Sequence, residues 1–86
     1  MRVLTDKQFN KAYARLPEKV KVKFKQRRNL FLENDYTSLL QNHALAGKYS
    51  GFRSINITGD FRAIYYLIEK DLAVFVNIGT HSQLYG

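Results

Sequence analysis

The chain predicts a small α+β domain: two N-terminal helices packed on a mainly antiparallel four-stranded sheet, in the order β-α-α-β-β-β. Three observations carry that expectation. Apolar residues recur at helical spacing up to about residue 33, the hydrophobic period changes to two from Phe52 onward, and 86 residues are enough for one domain with one small core. Residues 1–86 are therefore read as a single domain.

Arg2-Val3-Leu4 reads as a short first strand. Thr5 can cap a helix, with Gln8 three residues on completing a capping box. Phe9, Ala12, Tyr13 and Leu16 then form one apolar stripe. Pro17 breaks that helix and suits the first position of the next. Val20, Phe24, Arg27 and Phe31 fall on a second stripe with Leu30 beside it, the Arg27 stem lying along the apolar face. Lys19, Lys21, Lys23, Lys25 and Arg28 point mainly elsewhere and make a basic helix surface. The two helices form an antiparallel hairpin over one face of the sheet.

Asn34-Asp35 ends the second helix. Residues 35 to 51 hold few regular signals, with Gly47 and Gly51 marking turns. Phe52 to Ile57 is a strand with Ile55 and Ile57 on one face and Ser54 and Asn56 on the other. Thr58-Gly59-Asp60 is a tight turn. Phe61 to Ile68 is a strand, Glu69-Lys70-Asp71 a turn, and Leu72 to Ile78 a final strand, apolar at nearly every position and so central. The sheet's other face is partly open and carries Asn56 and either Arg62 or Tyr65, depending on twist and register.

Composition narrows the function classes. Fourteen Lys and Arg against seven Asp and Glu leave a net charge of +7, which favours an anionic partner. Nucleic acid, an acidic protein segment and a membrane surface all meet that description. Cysteine is absent, so disulfides and thiolate metal sites are excluded. The opening residues show no signal-peptide pattern, and the apolar runs are strand-sized. The expectation is a soluble cytoplasmic domain that does not engage a membrane.

Cleavage of RNA without a metal needs a group to take the 2′-hydroxyl proton and one to protonate the leaving 5′-oxygen. It also needs positive charge on the phosphate and a surface that holds the base. His81 is the best single candidate for proton transfer, since imidazole titrates near neutrality and this one follows a strand end. A solvent-exposed loop histidine would look the same. His43, the other of the two histidines, lies in the irregular connection and can join His81 only through the fold. No third ligand at motif spacing supports a zinc site, so neither metal nor cofactor is expected. Asp60 either shapes its turn, or orients a histidine or acts as a proton acceptor. Arg53 and Arg62 can clamp a phosphate with a planar fork, or lie on a solvated face paired with Asp60. Tyr65 and Tyr85 can stack on a base, or simply occupy a sheet edge. The Lys-rich stretch 19–28 is a backbone-phosphate surface or a solvated helix face.

Over nearly its full length the chain resembles the RelE/YafQ superfamily of bacterial type II toxins. The matching residues are His43-Ala44-Leu45-x-Gly47, then Phe52-Arg53-Ser54-x-Asn56-Ile57-x-x-Asp60-Phe61-Arg62-x-Ile64-Tyr65, and the ending Gly79-Thr80-His81-x-x-Leu84-Tyr85. The resemblance implies a small basic ribonuclease that cuts messenger RNA, commonly in the A site of the 70S ribosome. It also implies a cognate antitoxin that holds the toxin inactive. It carries His43, Asp60, His81 and Arg62 into catalysis and matches Tyr85 to a C-terminal aromatic. Asp60 or His81 is then expected as general base with the other as orienting group or acid, and Arg53, Asn56, Tyr85 and Lys48 are expected to bind substrate. One departure matters. Where the YafQ-like branch has a strand histidine this chain has Asn56, which can hydrogen-bond to a nucleotide but cannot trade a proton at neutral pH. The expected function is therefore a metal-independent mRNA endoribonuclease working by 2′-hydroxyl attack. The rivals are a gyrase-inhibiting toxin of the ParE type, a catalytically weakened homologue that acts by binding, and a generic basic RNA-binding domain.

Overall fold

A computed structural model describes residues 1–86, and its elements run β1 (Arg2–Thr5), α1 (Lys7–Ala14), α2 (Glu18–Glu33), β2 (His43–Ala44), β3 (Arg53–Asn56), β4 (Phe61–Glu69), β5 (Leu72–Thr80) and α3 (His81–Tyr85). The α+β layout with two N-terminal helices on the sheet is as expected. The sheet itself has five strands rather than four, in the order β1-β5-β4-β3-β2. The additional strand is β2, whose two residues pair antiparallel with β3. So short a segment leaves no alternation in the sequence to read.

β3, β4 and β5 form the antiparallel meander. β1 returns to β5 in parallel, so β5 is an interior strand; α1 and α3 both pack against it and most of its residues are buried or half-buried, which fits its near-continuous apolar sequence. The helix cap expected at Thr5 falls one residue later. Thr5 pairs with Phe75 as the end of β1, while the Asp6 carboxylate accepts from the Phe9 N–H at 2.8 Å. Pro17 likewise precedes α2 as its cap residue, in an extended conformation, and does not enter the helix.

Phe9 from α1 and Val20, Phe24 and Phe31 from α2 are buried against Ile55, Ile57, Ala63, Tyr65, Ala73, Phe75 and Ile78 of the sheet. Phe75 is the hub of this layer, with ring centroids 5.7 Å from Phe24, 5.4 Å from Phe31 and 5.2 Å from Tyr65. Register settles the choice left open for the far face. Asn56 pairs with Arg62 and Ser54 with Ile64, whereas Arg53 pairs with Tyr65 and Ile55 with Ala63. Arg62 therefore shares the open face with Asn56, and Tyr65 belongs to the core. No helix is long and apolar enough to cross a membrane.

Candidate functional site

At the β2–β3 end of the open face lies a hollow of about 430 Å³. Gln41, His43, Leu45, Ala46, Ser54, Asn56, Arg62, His81 and Tyr85 line it. Three separate stretches of chain converge there, for reasons that are local in each case.

His43 arrives because β2 places it directly opposite Ser54. Its Nδ1 lies 2.8 Å from the Gln41 carbonyl oxygen. A carbonyl can only accept, so Nδ1 carries the hydrogen and Nε2 of the neutral ring is left as the proton acceptor. Gln41 is the one non-glycine residue with positive φ, at 45°. Its side-chain Oε1 accepts from Asn56 Nδ2 at 2.9 Å.

Arg62 is fixed by the turn that precedes it. Its Nη1 donates to the carbonyls of Thr58, Gly59 and Phe61 at 3.0, 3.3 and 3.1 Å. The turn is itself braced by the Thr58 hydroxyl, which accepts from the N–H groups of Asp60 and Phe61. Nη2 and Nε of Arg62 make no hydrogen bond within the protein, and no carboxylate pairs with it; the ion pairs of the chain are those of Arg2.

His81 and Tyr85 come from α3, a helix absent from the expected layout. Thr80 ends β5 and caps this helix with a reciprocal capping box: its hydroxyl accepts from the Gln83 N–H and its own N–H donates to Gln83 Oε1 at 2.8 Å. Spacing of four residues then brings the two rings together on one helix face, tilted at 56° with centroids 4.8 Å apart. Tyr85 meets Tyr49 edge-on at 5.7 Å, and Lys48 Nζ sits 5.4 Å from the centroid of Tyr49, so Lys48 lies beside the hollow and outside its lining.

Of the residues singled out in the sequence, His43, Asn56, Arg62, His81 and Tyr85 come together. Asp60 and Arg53 do not join them. Asp60 is exposed in the β3–β4 turn. Arg53 emerges on the helix side of the sheet, where its Nε donates to Asn42 Oδ1 at 2.9 Å and its guanidinium covers the Tyr36 ring. Asn42 also bonds the Tyr65 hydroxyl and the Asp35 carbonyl, tying the 34–42 connection to the core. Burial pushes the Tyr65 phenol above its ordinary value of 10.0, against the lowering effects of Asn42 and Arg53. Sequence reading missed Gln41, Asn42 and Ser54. The Ser54 hydroxyl is fully buried and has no hydrogen-bond partner. No group of three or more His, Cys, Asp or Glu side chains is gathered as a metal site.

Two helices on a mixed sheet, with imidazole, guanidinium, amide and phenol gathered at one end of its open face, make up a scaffold shared with toxins of type II toxin–antitoxin systems. Within that class, the family model described as bacterial toxin of type II toxin-antitoxin system, YafQ, matches residues 1–86, and the chain belongs to that family. Among solved structures, YafQ from E. coli strain BL21(DE3) is 25% identical, with all of both chains covered and a TM-score of 0.82. YafQ in the E. coli DinJ–YafQ toxin–antitoxin complex is 26% identical, covering 98% of this chain and 96% of that one, with a TM-score of 0.78. The YoeB/ParE toxin from Agrobacterium tumefaciens, 16% identical over 94% of this chain and 99% of its own, shares the fold with a TM-score of 0.76. No match to a curated protein sequence is found.

Proposed function

We propose that this toxin is a metal-independent endoribonuclease that cleaves messenger RNA, acting on translated message in the ribosomal A site. The observation that carries the reading is the convergence of His43, His81 and Arg62 on one hollow. The Nε2 of His43, left unprotonated by the carbonyl at Nδ1, takes the proton of the ribose 2′-hydroxyl. The 2′-oxygen attacks phosphorus, the bond to the 5′-oxygen breaks, and His81 donates a proton to that leaving oxygen. The products are a 2′,3′-cyclic phosphate and a free 5′-hydroxyl. The free donors of Arg62 hold the phosphate oxygens as charge builds on them. Asn56 contacts the nucleotide through its amide, Tyr85 stacks on a base, and Lys48 meets the flanking backbone. Asp60 and Arg53 stand outside the reacting atoms, Asp60 on the turn that holds Arg62 and Arg53 in the core-side network.

A cognate antitoxin and the 70S ribosome belong to the same reading. The E. coli relative is seen bound to DinJ, and a net charge of +7 suits both an acidic polypeptide and ribosome-bound RNA. Action on translating ribosomes places the protein in the cytoplasm. One observation favours a second reading: Asn56, which cannot exchange a proton at neutral pH, stands where YafQ-like toxins carry histidine. On that reading the protein is a weakened homologue that acts by binding, whether on the ribosome or, like ParE toxins, on gyrase.

Primer extension on a reporter message in a purified translation reaction, with and without ribosomes, tests this by comparing wild type with His81→Ala. In-frame cuts that require ribosomes and vanish in the variant are the expected result. Undiminished cleavage by His81→Ala would refute the assignment, and no cleavage by wild type would turn attention to gyrase inhibition.

A further inference from the structure

We infer that Gln41 is a positioning residue of the hollow, one whose backbone sets the hydrogen of His43 and whose side chain sets the amide of Asn56. Its effect on cleavage rests on the ribonuclease reading; its effect on the two side chains does not.

Three facts converge on this residue. It is the one non-glycine residue held at positive φ, 45°. A long-chain residue is uncommon there, and such strained positions persist where the surroundings over-determine them. The left-handed residue Gln41 ends the short 3₁₀ segment Ser38–Leu40 and directs its carbonyl to His43 Nδ1, 2.8 Å away. The Gln41 side chain meanwhile reaches Asn56 Nδ2 at 2.9 Å, across to a different strand.

The consequences are chemical. Histidine has two neutral tautomers, and the partner of one nitrogen decides which is present. A main-chain carbonyl selects Nδ1–H and presents Nε2 to the hollow as a base. The Asn56 amide is similarly oriented. With Nδ2 donating to Gln41, its Oδ1 is turned away from Gln41 and remains an acceptor for a substrate hydroxyl or a base N–H. Gln41 also lines the hollow itself, so both contacts are made at its wall.

Substitutions separate the two arms. Gln41→Asn keeps a residue type that tolerates the left-handed region, but its side chain is one methylene too short for Asn56. Gln41→Val is β-branched and opposes the left-handed backbone, so the 41 carbonyl moves. Gln41 is exposed, so neither change disturbs the core; Gln41→Ala applies the same backbone penalty more mildly should the Val variant fail to fold.

The first readout is the ring-nitrogen NMR shifts of His43 in the free full-length protein, at a pH where the imidazole is neutral. Wild type and Gln41→Asn should show mainly the Nδ1–H form, and Gln41→Val should lose that excess. The second is the Asn56 side-chain amide signal, which should move in Gln41→Asn. Cleavage should fall about fivefold in Gln41→Asn, the effect of one neutral hydrogen bond, with the pH profile kept in shape. In Gln41→Val it should fall further, with an altered profile. An unchanged tautomer in Gln41→Val, or an unmoved Asn56 amide in Gln41→Asn, would overturn the proposal. Expected NMR changes in a protein that cuts no RNA even as wild type would uphold the positioning role and reject the ribonuclease reading.

Discussion

Replacing Arg62 tests the proposed chemistry most sharply, because its guanidinium is divided between two tasks. Nη1 is spent on three carbonyls of the β3–β4 turn at 3.0 to 3.3 Å, leaving Nη2 and Nε for the phosphate. Lysine carries its charge on one nitrogen, so Arg62→Lys must either brace the turn or hold the phosphate. It forfeits at least one charge-assisted hydrogen bond, about 1.5–3 kcal/mol, which slows cleavage roughly tenfold to 150-fold. Arg62→Ala removes the whole contact; loss of a donor to a developing oxyanion costs about 2.7–4 kcal/mol, or roughly a hundredfold to a thousandfold in rate. Stability should hardly follow. Gly59 is exposed and Thr58 only half-buried, so water can replace the guanidinium at the turn, and a typical intramolecular hydrogen bond is worth about 1 kcal/mol. Single-turnover cleavage with toxin in excess, beside thermal melting of each variant, measures both quantities. An Arg62→Ala rate within a few-fold of wild type would refute the phosphate assignment. A rate loss matched by a collapse in melting temperature would show that Arg62 serves the turn instead.

Asn56→His restores the imidazole that YafQ-like toxins carry at this strand position, and general acid–base groups contribute about 10²–10⁴-fold. Single-turnover cleavage should rise by an order of magnitude or more, and an unchanged rate would mean that proton transfer here does not pass through this position. Ser54→Ala removes a fully buried hydroxyl without a partner; urea unfolding should show stability unchanged or raised by about 1 kcal/mol, whereas a clear loss would reveal a hydrogen bond the hydroxyl does make. Tyr65 gives a pH dependence. Its folded pKa lies above the ordinary 10.0 because burial disfavours the phenolate. Its contribution is therefore fully present below pH 10 and is lost as pH rises through the folded value. Unfolding free energy measured across the alkaline range should decline, and less steeply in Tyr65→Phe; identical slopes would exclude Tyr65 as the source.

The helices and the meander were legible because burial imposes a period. Val20, Phe24 and Phe31 mark the inner face of α2, and all three are buried. Capping was legible only in part, and the reason lies in competition. The same Thr-x-x-Gln pattern occurs at Thr5 and at Thr80. Both threonines end a strand. After Thr5 comes Asp6, whose carboxylate takes the Phe9 N–H and moves the helix start by one residue. After Thr80 comes His81, whose ring takes none of the helix N–H groups, and the capping box forms. The pattern at Thr80 was thus a signal for α3 that the expected layout passed over, and with it for the four-residue spacing that sets His81 beside Tyr85. Neither the two-residue β2 nor the left-handed Gln41 leaves such a mark, because a glutamine in a polar stretch carries no preference for positive φ.

Parity decides much of the site. In an extended strand, residues an odd number apart face opposite ways, so Arg53 and Asn56 cannot serve the same face of β3. The pairing of Arg53 with Tyr65, and of Asn56 with Arg62, shows the division. Arg53 is held instead by the Asn42 amide oxygen and the face of the Tyr36 ring. What parity cannot supply is the partner across the hollow. His43 and His81 are 38 positions apart in the chain, and each reaches the site through an end: β2 beside β3 for one, the turn from β5 into α3 for the other. A two-residue strand and a five-residue helix contribute one buried side chain between them, Leu84, yet they hold the two side chains on which the proposed proton transfer depends. Substitutions at exposed positions that loosen β2 or α3 should therefore reduce cleavage far more than they reduce stability, a separation that core changes at Phe31, Phe75 or Leu84 would not show.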